Sequence, residues 1–387
     1  MPIDRRFSVS LLLLIAGLAA GCAGLEESGS PASAYETEPV AKTPNVQIQW
    51  RRDLDYDVVG TYRARQWAAP GLLRTSDRRE LFVGSDSGWL YRMRAGDGEI
   101  RWERELNGPI HATPVATASH VYVGTLHGDF YAINRQSGET DWKIDNSRAI
   151  ESDAAVGGGL VFYTTNAGQL VALDEASGEK TWTYNRDIPK EFTVKGSGTP
   201  VVVGNTVYCG FADGTVAALD ATTGRINWEA NVAGDVNEFT DVDLPVIVRG
   251  DRVYDVSYGA GITALDRKTG EAVWSREYEN ISSASFAEDR FYLTIATGRV
   301  IALDAEGGTG IWGFKMSNNQ PVDIKAAGSY LFVSTGNGPL YILDRSTGYP
   351  LRKWRPSPGV NAGVTFSKRA GYMLSNKGYL YSFRLAF

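Results

Sequence analysis

From residue 45 to the C-terminus, apolar residues come in short runs broken by Gly, Asn and Asp, and no stretch carries a helical period. The segment around Cys209 shows the unit: "TPVVVG", "TVYCGF", "TVAALD" and "RINWEA" are four strand-like pieces joined by turns. Neighbouring segments repeat it, as in "HVYVGT" with "FYAINR" and "RVYDVS" with "ITALDR". A tryptophan closes each unit: Trp102, Trp142, Trp182, Trp228, Trp274, Trp312 and Trp354. Four strands in about 40 residues is the signature of a propeller blade.

Counting the blades settles the architecture. Third-strand segments occur eight times, from "LYRMR" to "LYSFR", and the eighth stands almost at the chain end, so its blade lacks a fourth strand. "VQIQW", ending at Trp50, is a fourth strand with no blade before it. The pattern therefore predicts an all-β, eight-bladed propeller of four-stranded antiparallel blades over residues 45–387. Pairing the N-terminal strand with the C-terminal blade closes the ring and removes an open sheet edge.

The residues that recur most are Ala264-x-Asp266-x-x-Thr269-Gly270-x-x-x-Trp274 and their counterparts. Short side chains at Asp266 and Thr269 suit bonding to a tight turn, and Gly270 suits a left-handed turn position. Trp50, Trp102, Trp142, Trp182, Trp228, Trp274, Trp312 and Trp354 are expected to bury their rings between blades, covering roughly 200 Å² each. The recurring residues read as structural docking rather than as chemistry. Trp354 stands two residues late after Gly348, and the first and last blades carry degenerate copies of the motif.

The N-terminus reads differently. Arg5 and Arg6 precede the apolar "FSVSLLLLIAGLAAG", which has signal-peptide length rather than bilayer length. It ends in "LAAGC", so residues 1–21 are expected to be a lipoprotein signal and Cys22 the lipidated residue, although Ala19 stands where a lipobox usually has Leu. Residues 22–44 are rich in Glu, Ser, Ala and Pro and read as a flexible tether. Cleavage leaves 37 basic and 44 acidic residues, a net charge of −7, which gives no support to nucleic-acid binding. Cys209 has no partner for a disulfide within the folded body and is expected to be buried and inert. His111, His120 and His127 fall in one blade but at different strand ends, so they read as polar turn and strand-end residues, not metal ligands.

Subtracting the repeat exposes two departures. The connections after Trp182 and Trp228, "TYNRDIPKEFTVKGSG" and "EANVAGDVNEFTDVDL", are long by about five residues against the other connections after Trp102. Both join a fourth strand to a next first strand, so both emerge on one face, where a rigid scaffold places binding residues.

The docking motif resembles that of the eight-bladed quinoprotein propellers, with good matches at residues 132–142, 172–182, 218–228 and 264–274. Two classes share it. In quinone-dependent dehydrogenases the resemblance would imply a quinone, a calcium ion and commonly a vicinal disulfide, yet this chain has no Cys-Cys pair. The other class is the BamB family of outer-membrane assembly lipoproteins, non-enzymatic propellers that dock on the POTRA domains of the barrel subunit BamA. That resemblance is the more pointed, because it also covers the lipobox, the acidic tether and two loop motifs. It implies a lipid-anchored protein on the periplasmic face of the outer membrane, with no cofactor. It also implies partner-binding residues at Phe192, Val194 and Lys195, in place of a Leu-x-Leu-Arg-Gly segment, and at Asp241 and Asp243, where Asp-Val-Asp matches outright. Lys195 cannot reproduce a bidentate guanidinium contact. A quinone-dependent oxidoreductase, or a propeller lipoprotein serving another envelope partner, is the alternative.

Overall fold

The computed structural model describes residues 43–54, 65–76, 78–186, 198–233, 242, 244–317, 319–356 and 359–386. Its strands form eight four-stranded antiparallel sheets. Blades 1 to 7 take residues 71–105, 115–145, 155–185, 201–231, 247–276, 281–315 and 321–354 in chain order. Blade 8 takes residues 365–386 and receives Asn45–Asp53 as its outer strand. That strand pairs antiparallel with Tyr379–Ala386, from Asn45 opposite Ala386 to Asp53 opposite Tyr379. The ring is closed by its two chain ends.

Period-two alternation explains how one strand serves two cores. In blade 4, Val207, Cys209, Ala217 and Leu219 pack towards Phe162, Leu170 and Ala172 of blade 3. The alternate residues Tyr208, Val216 and Ala218 pack towards Val253 and Leu265 of blade 5. Middle strands are therefore buried on both faces and read as nearly continuous apolar runs. The fourth strand, Ile226–Asn231, has no further strand outside it and alternates with exposed residues. Burial also pushes the Cys209 thiol pKa up, so it stays protonated and unreactive.

The tryptophan joints are built by the next blade's turn. Asp266 Oδ1 accepts the backbone N–H groups of Lys268 (2.9 Å) and Thr269 (3.1 Å), and Gly270 takes a φ of 76°. The turn so formed presents the Arg267 carbonyl to Trp228 Nε1 at 2.9 Å. It also lays Gly270 flat on the ring, where a Cβ would come within 2.6 Å of Trp228. Trp50, Trp102, Trp142, Trp182 and Trp312 donate in the same way to carbonyls of Ala95, Arg135, Glu175, Ala221 and Arg345. Trp274 lies over Gly308, but its Nε1 finds no acceptor among the described residues.

Trp354 departs from the expected joint. In blades 2 to 6 the tryptophan pairs with an alanine of the third strand, as Ala218 with Trp228. In blade 7 the equivalent pair is Ile342 with Arg352, and Trp354 lies opposite Leu340. Arg352 therefore holds the docking position, and it donates to the Pro44 carbonyl at 3.2 Å. The physical reason lies in blade 8, whose third strand pairs with the N-terminal strand instead of turning into a fourth. No Thr-Gly turn exists there to receive an indole, so Trp354 meets Tyr381 and Phe383 edge-on.

Blade 1 replaces the small residue by Arg92, opposite Trp102. Its guanidinium is buried and donates to Glu80 at 2.6 Å, and Arg135 from blade 2 donates to the other oxygen of Glu80, also at 2.6 Å. An ion triad is thus added at the 1/2 junction to the apolar packing of Phe82 and Leu90 against Val121 and Ile133.

Candidate functional site

Because the strands alternate in direction, second-to-third turns and blade-to-blade connections share one face, and Thr-Gly turns occupy the other. On the connection face, three joins are long: residues 54–70, 186–200 and 232–246. The last two flank blade 4. The first leads from the closing strand into blade 1 and is the longest, at 17 residues against 15 and 15.

The connections are held by a repeated pin. Ile110, Ile150, Val242 and Val360 are each at most 1% exposed, and each donates its backbone N–H to the residue closing a second strand or opening its turn, at 3.0–3.2 Å. In three of these the pin side chain lies on a glycine: Ile110 on Gly84, Ile150 on Gly124 and Val242 on Gly210. The middle residue of Asp241-Val242-Asp243 is thus part of the scaffold. It fixes the point from which the two aspartates depart. Asp241 and Asp243 themselves lie outside the described residues, as do Phe192, Val194 and Lys195 of the neighbouring connection and Cys22.

What the structure does bring together is the returning end of both loops. Gly198 donates to the Gly210 carbonyl at 3.0 Å, and Val242 donates to the Phe211 carbonyl at 3.2 Å. A Cβ on Gly198 would meet the carbonyls of Leu244 at 2.9 Å and Val242 at 3.1 Å. Both loops therefore re-enter the ring through one seam at the end of Thr206–Gly210. The outgoing end of the first loop is latched as well. Arg186 donates to Asp213 Oδ2 at 2.8 Å and to Thr215 at 2.9 Å, and bridges to Glu229 at 3.3 Å. Burial works against its charge, but hydrogen bonds to Tyr184 and Asp213 outweigh it and raise its pKa. Tyr184, bonded to Glu229, is pushed up to about 12, first by burial and then by that carboxylate.

Gly210 carries the closest approach in the seam. A Cβ there would lie 2.0 Å from Val242 Cγ1. Gly210→Ala is expected to destabilise by about 1–3 kcal/mol through overpacking. Adding Val242→Ala should recover part of that loss, giving a non-additive pair in chemical denaturation. Additive penalties would mean the two residues are not in contact.

The three histidines go to separate partners. His111 meets Asp86 at 2.7 Å, His120 meets Asp141 at 2.9 Å, and His127 meets Asn107 at 3.3 Å. The long join of residues 54–70 is a third departure from the repeat, beyond the two singled out from the sequence. Its signal is the long interval between Trp50 and the first strand of blade 1.

Comparison with known proteins adds the family. A family model described as outer membrane protein assembly factor BamB matches residues 44–148, 111–314 and 296–378. BamB of Pseudomonas aeruginosa is 32% identical over 113 residues, 28% of this chain and 30% of that protein. BamB of Shewanella oneidensis is 25% identical over 259 residues, 65% of this chain and 55% of that protein. The chain thus aligns with about a third to a half of the length of these relatives. The crystal structure of BamB from Moraxella catarrhalis superposes with a TM-score of 0.75 at 22% identity, covering 88% of this chain and 100% of that one, which establishes a shared fold. With the family model matching nearly the whole ring, the chain belongs to the BamB family of outer membrane protein assembly factors.

Proposed function

We propose that the protein is a non-enzymatic, lipid-anchored scaffold on the periplasmic face of the outer membrane. It assists assembly and insertion of β-barrel proteins by docking on the POTRA domains of a BamA-type barrel subunit. Family membership supports the assembly role, and the seam that draws two long neighbouring loops to one point supports the docking site. Phe192 and Val194 alternate with Thr193 in sequence and supply the apolar contact. Lys195, Asp241 and Asp243 supply charge around it, the arrangement of an anchor with a polar rim. Cys22 carries the lipid, and residues 22–44 form the tether.

The test is binding of the full chain to purified POTRA domains. Phe192→Ala is expected to weaken it by roughly thirtyfold, about 2 kcal/mol, as for a central anchor. Asp241→Ala should act mainly on association rate and salt dependence. Glu279→Ala, in the short connection between blades 5 and 6, is the control and should change little. If the loop variants bind as the control does, the paired loops are not the docking site.

A further inference from the structure

Among the described residues of the connection face, one aromatic side chain stands largely outside the packing. Trp67 is 46% exposed, whereas the other large exposed apolar residues described, Ile48, Ile100, Ile226, Val273 and Ile311, all lie on outer fourth strands at the rim. Single exposed aliphatics there are ordinary. Trp67 is different, because its neighbours Gln66 and Ala68 are each only 1% exposed. The backbone is clamped on both sides while the indole stands out.

Its surroundings are fixed too. Gln66 stands five residues before Gly71, as the pins Ile110, Ile150 and Val242 stand five before Val115, Ala155 and Ile247. Its Oε1 accepts the Asp86 backbone N–H at 3.0 Å. The indole lies 5.8 Å from the His111 ring, and His111 Nε2 holds Asp86 Oδ1 at 2.7 Å. Arg65, the nearest cation in sequence, is drawn off to Asn337 in the blade 7 turn at 3.3 Å. An exposed indole thus lies against a histidine ring whose other contact is a partly exposed carboxylate, and His111 links the two.

We propose that Trp67 and Asp86 form a guanidinium site, which receives an arginine side chain of the protein partner that docks on this face. An arginine can stack its plane on the indole while donating to the outer carboxylate oxygen, whereas a lysine cannot combine stacking with a fork-shaped donor set. Trp and Arg are also the side chains that most often anchor interfaces. The position follows the repeat: Trp67 and Asp243 both stand one residue after the pin position, at junctions four blades apart. The site therefore rests on the docking reading above and adds a second contact across the mouth of the ring.

Calorimetric titration of the full chain with purified POTRA domains tests it. Trp67→Ala should weaken binding at least tenfold with an unchanged melting point. Trp67→Phe should retain part of the affinity, and Asp86→Asn should weaken binding severalfold and flatten its salt dependence. Wild-type affinity in Trp67→Ala, with Asp241→Ala still impaired, overturns the guanidinium site and leaves the paired loops standing. Loss in Trp67→Ala without loss in Asp86→Asn also overturns it, because the occupant is then apolar. No binding by the wild type overturns both readings.

Discussion

Trp228→Ala is expected to destabilise the propeller by about 3–5 kcal/mol, the range for truncating a buried aromatic. Trp228 is the most buried of the docking indoles, at 8% exposure, and it sits among Val216, Ala218, Val246, Val253 and Leu265. Three losses combine. The ring leaves a cavity between blades 4 and 5, the Arg267 carbonyl loses its 2.9 Å donor, and Gly270 loses the surface it lies on. The turn keeps its own Asp266 bonds, so the effect is on blade-to-blade docking rather than on blade 5 itself. Trp354→Ala is the comparison. Its ring has no turn glycine beneath it, so the penalty should be clearly smaller. Equilibrium denaturation decides the matter: equal midpoints for wild type and Trp228→Ala would sink the docking assignment.

The second large effect concerns Glu80. Burial alone would raise its pKa, but hydrogen bonds from Arg92 and Arg135 outweigh that and hold it below the ordinary carboxylate range. Replacing it by Gln leaves two guanidinium groups facing each other in a largely buried part of the 1/2 junction. Removing one partner of a buried ion cluster typically costs about 3–5 kcal/mol. The pH dependence has a definite sign. The folded protein binds the Glu80 proton less readily than the unfolded chain does. The triad's contribution is therefore complete above the ordinary glutamate range and is lost as pH falls through the lower folded pKa. The gap between wild type and Glu80→Gln in urea unfolding should be wide at pH 7 and should narrow progressively as pH falls from the ordinary glutamate range through the lower folded pKa. A gap independent of pH would remove Glu80's charge from the account.

Blade number and ring closure were legible because one bulky residue marks each period and one unpaired strand stands at each end. Trp354 shows the limit of that method. Counting indoles assigns it to the docking register, whereas only strand pairing reveals that Arg352 fills the position and that blade 8 has no turn to offer. Val242 is a similar case. In sequence it belongs to an acidic motif, and in the fold it is a pin equivalent to Ile110 and Ile150, whose equivalence depends on register five residues away. Exposure is likewise not written in a sequence: Trp67 became visible as a protruding indole only once Gln66 and Ala68 were seen to be buried. The seam beneath the two loops was foreshadowed by their length and adjacency, while Phe192, Val194, Lys195, Asp241 and Asp243 lie outside the described residues.

The direction of the closing strand has a mechanical consequence. Asn45–Asp53 enters from the Thr-Gly turn face and runs towards the connection face, so under the proposed function a tether attached ahead of Pro44 and a partner docked at the loops would pull on opposite sides of the ring. Tension between them runs along the strand axis, parallel to Asn45–Asp53 and Tyr379–Ala386. The ladder bonds between those strands lie across that axis. The pull therefore shears many bonds together instead of peeling them one by one, which is the stronger way to load a paired strand. Arg352, gripping the Pro44 carbonyl, stands at the point where the tension enters.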